Sequence, residues 1–190
     1  MKVSSMTDRA SEIAYATLLA DDPPGWEQVL HEWAARYREE VPGANLLVVD
    51  LDSWSYLFHL SAPDPDATIA DRVVAAWGKS ALAPAQRDRA RMRSHPRSVR
   101  ADDHKGHLIA HASGGGYDIN LTKMDSGLNT GRTPEGKKFR AMERHCAQHP
   151  GTPYFIRSLY DDDSDRPTAF DVGVRESGGW WIERFANGES

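Results

Sequence analysis

Six of the eight histidines lie between His95 and His149. Imidazole titrates near neutral pH and ligates metals, so this stretch is where chemistry is sought first. Several familiar arrangements fail there. A zinc-protease helix needs two histidines four apart with a glutamate after the first; His107 and His111 have the spacing, but Leu108 stands at the base position. The run Gly131-Arg132-Thr133-Pro134-Glu135-Gly136-Lys137-Lys138 approaches a phosphate-binding loop, yet Lys138 replaces the hydroxyl that would hold magnesium and no buried strand leads into it. There is no Gly-x-Ser-x-Gly elbow, and the lone Cys146 falls on the apolar face of a helix, where a structural role is expected.

A constellation in chain order survives these exclusions: Asp103-His104-Lys105-Gly106-His107-Leu108-Ile109-Ala110-His111, Gly114-Gly115, Asp118-Ile119-Asn120-Leu121, Asp125-Ser126-Gly127-Leu128-Asn129-Thr130-Gly131, and Phe139-Arg140-Ala141-Met142-Glu143. It resembles the DNA/RNA non-specific endonuclease family of the ββα-metal (His-Me finger) superfamily. That family carries Asp-Arg-Gly-His, a Gly-Gly turn, Asn-Leu, Leu-Asn-x-Gly and a helix with a glutamate. The resemblance runs from about Asp103 to the C-terminus, taking in Pro150–Phe155, the acidic turn with Arg166-Pro167, and Trp181–Asn187. Residues 1–80 show no such match.

The resemblance implies a divalent-metal-dependent endonuclease acting on DNA, RNA or both. A phosphodiester resists attack because its oxygens repel nucleophiles and the sugar alkoxide leaves poorly. His107 would take a proton from water and aim it at phosphorus. Asn129 would hold the metal, since Mg²⁺ (or Mn²⁺ in its place) keeps several waters and needs few protein oxygens. Glu143 would hold the metal's waters or act as a distant ligand. Lys105 takes the arginine position as a point charge without the bidentate fork. Asn120 joins this catalytic group as the residue that braces the loop. Alone, each has an ordinary alternative: a turn or core histidine, a turn asparagine, a solvated helix glutamate. Only the ordered set argues for a site. Departures from the pattern are plain: His104 stands where the aspartate is usual, with Asp103 adjacent; Thr122-Lys123-Met124 is unusual before the Leu-Asn; and Arg132–Lys137 is an insertion of about six residues by comparison with the family pattern.

The elements that must position these residues are legible as a mixture of helix and strand. Helices are predicted over about Asp8–Leu19, from after Gly25 to a stop at Pro42-Gly43, near Thr68–Gly78 and over Glu135–His149. Strands are predicted at Leu46–Leu51, read as buried, and at Ser53–Leu60, Tyr154–Tyr160, Thr168–Val174 and Trp180–Phe185, with a polar loop leading to Gly131. The class is α+β: a ββα-metal nuclease core with C-terminal antiparallel strands and an N-terminal helical and strand segment. The expected division is an acidic region over 1–80, in the same domain or attached to it, and a nuclease domain over 81–190.

Charge is unevenly spread. The net charge is -5, and residues 1–66 hold twelve Asp/Glu against four Lys/Arg, whereas Arg87–Lys105 holds seven Lys/Arg against three Asp. The basic stretch is the expected track for a nucleic-acid backbone, with Arg93, Arg97 and Arg100 on it and Arg140 on the glutamate helix. With one cysteine no intramolecular disulfide forms. No apolar run is long enough to span a bilayer and no secretory pattern opens the chain, so no membrane partner and a cytoplasmic location are expected. A nuclease kept in a cell calls for an inhibitor or immunity protein as partner. The alternative function is a catalytically weakened nucleic-acid-binding or partner-binding module, motivated by the altered motif. A third reading makes the acidic N-terminal region the partner-facing element, docking another protein or masking the basic site.

Overall fold

Trp26, Val29, Leu30, Trp33 and Tyr37 recur at helical spacing because one stripe of α2 (Trp26–Glu40) must be buried. A computed structural model describes residues 13–21, 24–61, 68–83 and 100–188, and in it Val29, Trp33 and Tyr37 are buried. Before α2 stands one helical turn, α1 (Tyr15–Leu18), shorter than predicted; residues 8–12 of the predicted helix lie outside the described residues.

Strands β1 (Leu46–Leu51), β2 (Trp54–His59) and β3 (Arg72–Lys79) follow, then a short hairpin of β4 (Asp103–His107) and β5 (Leu121–Asp125). Helices α3 (Ser126–Thr130) and α4 (Pro134–Gln148) come next, and β6 (Pro153–Leu159), β7 (Ala169–Glu176) and β8 (Gly179–Ala186) close the chain. The sheet has six antiparallel strands in the order β1-β2-β3-β6-β7-β8, and β4 pairs with β5 apart from it. Alternation along the strands sends apolar side chains to both faces. Leu57, Val74, Trp77 and Phe155 meet α2 on one side; Tyr56, Ile156, Phe170 and Val172 meet Met124, Leu128, Phe139 and Met142 of the hairpin and α3–α4 on the other. Burying each such side chain stabilises by about 1.5–3 kcal/mol. The fold is α+β, three layers with the hairpin–helix unit on one face.

Three stretches of the chain differ from the sequence reading. The helix expected near Thr68–Gly78 is strand β3, covered on both faces; a continuous apolar run lacks period, and its alanines favour helix only until the sheet's packing overrides them. The strand at Leu46–Leu51 forms but is an edge, with Leu47, Val48 and Leu51 exposed, because only β2 borders it. The polar loop before Gly131 is β5 and α3, its Thr122 and Lys123 buried by pairing that no local pattern announces.

Arg72 ties the layers together. Its Nε donates to Tyr37 Oη (2.6 Å) and its Nη1 to the carbonyls of Asp162 (2.6 Å) and Ser164 (2.9 Å). Its guanidinium carbon lies 4.1 Å from the centre of the Tyr160 ring. Strand β3 hydrogen-bonds directly to β6, so the sheet runs unbroken across residue 80. A fragment starting at residue 81 is expected to lose cooperative thermal unfolding by circular dichroism, since it would bare the β6 edge. A sharp transition at the full-length Tm would show that the first strands are dispensable.

Candidate active site

The hairpin is short, and its two ends are held differently. At one end β4 finishes at His107, paired with Leu121. The chain then dives inward: Leu108 and Ile109 are buried, and so are His111 and Ser113 in a 3-10 turn. Backbone groups in such a loop need partners, and Asn120 supplies them. Fully buried, it accepts from Ile109 N–H (2.8 Å) through Oδ1 and donates from Nδ2 to the carbonyls of Ile109 (2.8 Å) and Gly116 (2.9 Å). Tyr154 Oη adds a bond to the Leu108 carbonyl (3.1 Å). Gly115 is required here because a β-carbon would collide with the Ile109 carbonyl and the Asn120 amide. Tyr117 lies 6.1 Å from the rings of both His107 and His111, centre to centre. The Asn120 amide is thus committed to the backbone of the loop that follows His107.

At the other end Asp125 caps α3, its carboxylate accepting from Leu128 N–H (3.0 Å). Gly131 ends that helix in the left-handed region at φ +74, and Thr133 and Pro134 start α4, with Thr133 Oγ1 accepting from Gly136 N–H (3.0 Å). The would-be phosphate loop is therefore a pair of helix caps. Gly136 lets α4 approach α3, since a β-carbon there would strike the Gly127 carbonyl.

The expected site residues sit on this frame as follows. Asn129, half-buried on α3, directs its Nδ2 to Nδ1 of exposed His104 at 3.3 Å. Glu143 on α4 is buried and accepts from Arg140 Nη1 (2.7 Å); Asn129 and Glu143 share no hydrogen bond. Lys105 is half-buried and faces Lys123 across the ladder, a like-charge pair relieved where Lys123 meets Asp165. By strand alternation Lys105 and His107 share a face with Asp103, and His104 shares the other with Met124. Arg140 is exposed and Arg100 opens the segment into β4. Arg93 and Arg97 lie outside the described residues. Cys146 is buried on α4 with its thiol pushed up to about 12 by burial, which makes it inert.

Two residues matter more than sequence reading showed. Arg166 grips Asp103 with Nε (3.1 and 3.0 Å) and Nη2 (2.9 Å), and its Nη2 also donates to the Asn187 carbonyl (2.8 Å). Buried Asn187 accepts from Asp125 N–H (2.7 Å) and donates to the carbonyls of Lys123 (2.8 Å) and Pro167 (2.7 Å). Asp103 is thereby a structural anion. Arg166-Pro167 and Asn187 were visible only as parts of a family-like tail, because their partners lie some sixty residues away.

Burial raises the Glu143 carboxyl to about 7, and Arg140 only partly offsets this. Among the described residues no three His, Cys, Asp or Glu side chains gather as a metal cage. Asn129 and His104 offer one amide and one imidazole side by side, a set that could hold a dication only if it kept most of its waters.

A hairpin, a buried histidine-bearing loop and two short-linked helices against an antiparallel sheet are the parts of a ββα nuclease. The family model described as DNA/RNA non-specific endonuclease matches residues 69–178, more than half of the chain, and the protein belongs to that family. The match begins well before Asp103 and includes β3, which the sequence reading had left outside the resemblance. Among solved structures the chain is similar to the Sda1 nuclease with bound zinc ion, at 13% identity over 70% of this chain and 75% of that one, with a TM-score of 0.43. An extracellular endonuclease is 15% identical over 79% of this chain and 81% of that one, with a TM-score of 0.39. Both likenesses are distant. No curated protein matches.

Removing the Asn120 amide strands one buried N–H and two carbonyls, each costing about 1–3 kcal/mol, so Asn120→Ala is expected to lose about 3 kcal/mol of unfolding free energy in urea titrations. Asn120→Asp should not restore it, because a carboxylate would face two carbonyls. The raised Glu143 carboxyl sets a second expectation. Its charged form is disfavoured by folding, so its contribution destabilises as pH rises from the unfolded value near 4.5 through about 7. Metal-free Glu143→Gln should melt above wild type at pH 8, with the gap narrowing by pH 5. An equal gap at both values would contradict this.

Proposed function

We propose that this endonuclease hydrolyses phosphodiester bonds of DNA, RNA or both with little base preference, using His107 as general base and a divalent cation of the Mg²⁺ or Mn²⁺ kind at Asn129. The observation that supports it best is the buried loop that begins at His107 and is braced by Asn120, for a general base must be held in place to act. His107 would draw the proton from a water as that water attacks phosphorus. Lys105 would meet a phosphate oxygen as a point charge.

Asn129 would hold the cation through its carbonyl oxygen, with Glu143 fixing its waters from α4. Burial leaves the Glu143 charge poorly compensated by Arg140 alone, and a nearby dication would relieve it. When bound, such an ion would offset charge on the phosphate and on the departing sugar oxygen. Arg93, Arg97, Arg100 and Arg140 would track the backbone without reading bases. Asn120 positions and does not touch substrate.

In this reading the protein works in the cytoplasm and an inhibitor or immunity protein restrains it. No helix of the described residues is long and apolar enough to cross a membrane. Residues 13–79 and 100–188 would act as one unit, since three strands of the sheet come from each.

The test is cleavage of plasmid DNA and a structured RNA by wild type and His107→Ala, with Mg²⁺ or EDTA. Expected is loss of about 10²-fold or more in rate on substitution, with nucleic-acid binding retained, and full loss in EDTA. Cleavage by His107→Ala at the wild-type rate would remove it as the base. Binding without cleavage by wild type would favour the weakened, binding-only module.

A further inference from the structure

One of the residues that depart from the family pattern is also the one Asn129 touches. His104 stands at the motif's usual aspartate position, three residues before His107, and its Nδ1 is 3.3 Å from the Asn129 amide. Asp103, the adjacent acid, is unavailable as a substitute ligand because Arg166 grips both its oxygens. The carboxylate usual in this motif is thus replaced by an imidazole beside the proposed metal ligand.

The distance carries chemical meaning. Two ligand atoms each about 2.1 Å from one ion lie about 3.0 Å apart at a right angle and about 3.4 Å apart at the tetrahedral angle. The observed 3.3 Å falls between these values. Half a turn of the Asn129 amide about its terminal bond puts Oδ1 where Nδ2 now lies, leaving an oxygen and an imidazole nitrogen spaced as neighbouring ligands of one ion. Both side chains are open enough to admit it, His104 being exposed and Asn129 half-buried on α3.

We propose that His104 and Asn129 together bind one dication, and that His104 turns the site from Mg²⁺ towards imidazole-accepting later transition metals such as Co²⁺ and Zn²⁺. Mg²⁺ favours carboxylate, carbonyl and water; imidazole suits the later first-row ions. A neutral imidazole also removes the charge that an aspartate would bring to a hard cation. Two protein ligands leave the remaining positions to water and phosphate, in keeping with the absence of a larger cluster among the described residues. This inference rests on Asn129 being the metal ligand.

Calorimetric titration of the metal-free full chain with Co²⁺ and with Mg²⁺ tests it, using wild type, His104→Ala, His104→Asp and Asn129→Ala. All are made in a His149→Ala background, because the rings of His145 and His149 lie 4.5 Å apart at the end of α4 and would bind cobalt by themselves. His104→Ala should weaken Co²⁺ tenfold or more and Mg²⁺ less than twofold. His104→Asp should reverse the preference, and Asn129→Ala should weaken both ions. Unchanged Co²⁺ affinity in His104→Ala overturns the proposal while a Mg²⁺ loss in Asn129→Ala leaves the site reading standing. Unchanged affinity for both ions in Asn129→Ala overturns the site reading and the shared ion with it. Paramagnetic broadening by Mn²⁺ of the His104 ring signals in wild type gives a readout independent of activity; sharp signals at saturating Mn²⁺ would count against the pair.

Discussion

A chain cannot pass through a protein interior unless its peptide groups find partners, and this constraint organises the site. After His107 the backbone leaves its ladder and runs buried through Leu108 and Ile109 with no strand to pair with. The Leu108 N–H and carbonyl go to the Asn120 backbone carbonyl and Tyr154 Oη, and the Asn120 side chain takes both peptide groups of Ile109. Asn120 uses its acceptor and both amide hydrogens on residues 109 and 116, so the loop takes its shape from a residue that enters it from the far side. An aspartate or a glutamine would not match, one lacking donors and the other too long for the same three bonds. His107 is therefore set between the ladder that pairs it with Leu121 and a loop shaped by an asparagine thirteen residues later.

The opposite end of the hairpin is held by a second buried asparagine. Asn187 bonds to the backbone at residues 123, 125 and 167, and Asp125 in turn caps the helix that carries Asn129. Beside it the Arg166 fork fixes Asp103. Arg166 ends the acidic turn after β6, and the start of that turn is held by Arg72, whose other partner is Tyr37 of α2. A continuous set of polar contacts thus runs from the helical layer, around the end of the sheet, to the hairpin. Tyr37 and Arg72, far from the hairpin in sequence, are joined to it by this route.

Legibility in the sequence followed the range of the interactions. Helices α2 and α4 were readable because Trp26-Val29-Trp33-Tyr37 and Phe139-Met142-Cys146 each bury one stripe, a local and periodic signal. The C-terminal strands were readable from turns and β-branched or aromatic runs. Strand β3 was not, since Val73-Val74-Ala75-Ala76-Trp77 is apolar on every side and carries no period at all. Strand β5 was hidden for the opposite reason: Thr122 and Lys123 look solvated, and only the remote Asp165 makes a buried lysine tolerable. At the candidate site, His107, Asn120, Asn129 and Glu143 could be named from sequence because they stand in a short ordered pattern. Arg166 and Asn187 lacked a role because their partners are distant in the chain, and the meeting of His104 with Asn129 could not be inferred from spacing.

The ion pairs around the hairpin are better understood as devices of register than of stability. Taking Arg166 and Asp103, or Lys123 and Asp165, out of water costs several kcal/mol per ion, and their attraction offsets this only in part. A two-stranded hairpin of five-residue strands is marginal alone, and a slip of one residue would exchange its faces. Here an exchange of faces would put Lys105 and His107 where His104 stands and move His104 away from Asn129. Asp103 and Lys123 lie on the same face of the ladder and each has one fixed partner on the acidic turn, so a slipped hairpin would bury two charges without their counterions. The cost of the charged pairs is the cost of excluding that alternative, and it preserves the one arrangement in which the imidazole of His104 and the amide of Asn129 face each other while His107 opens the buried loop.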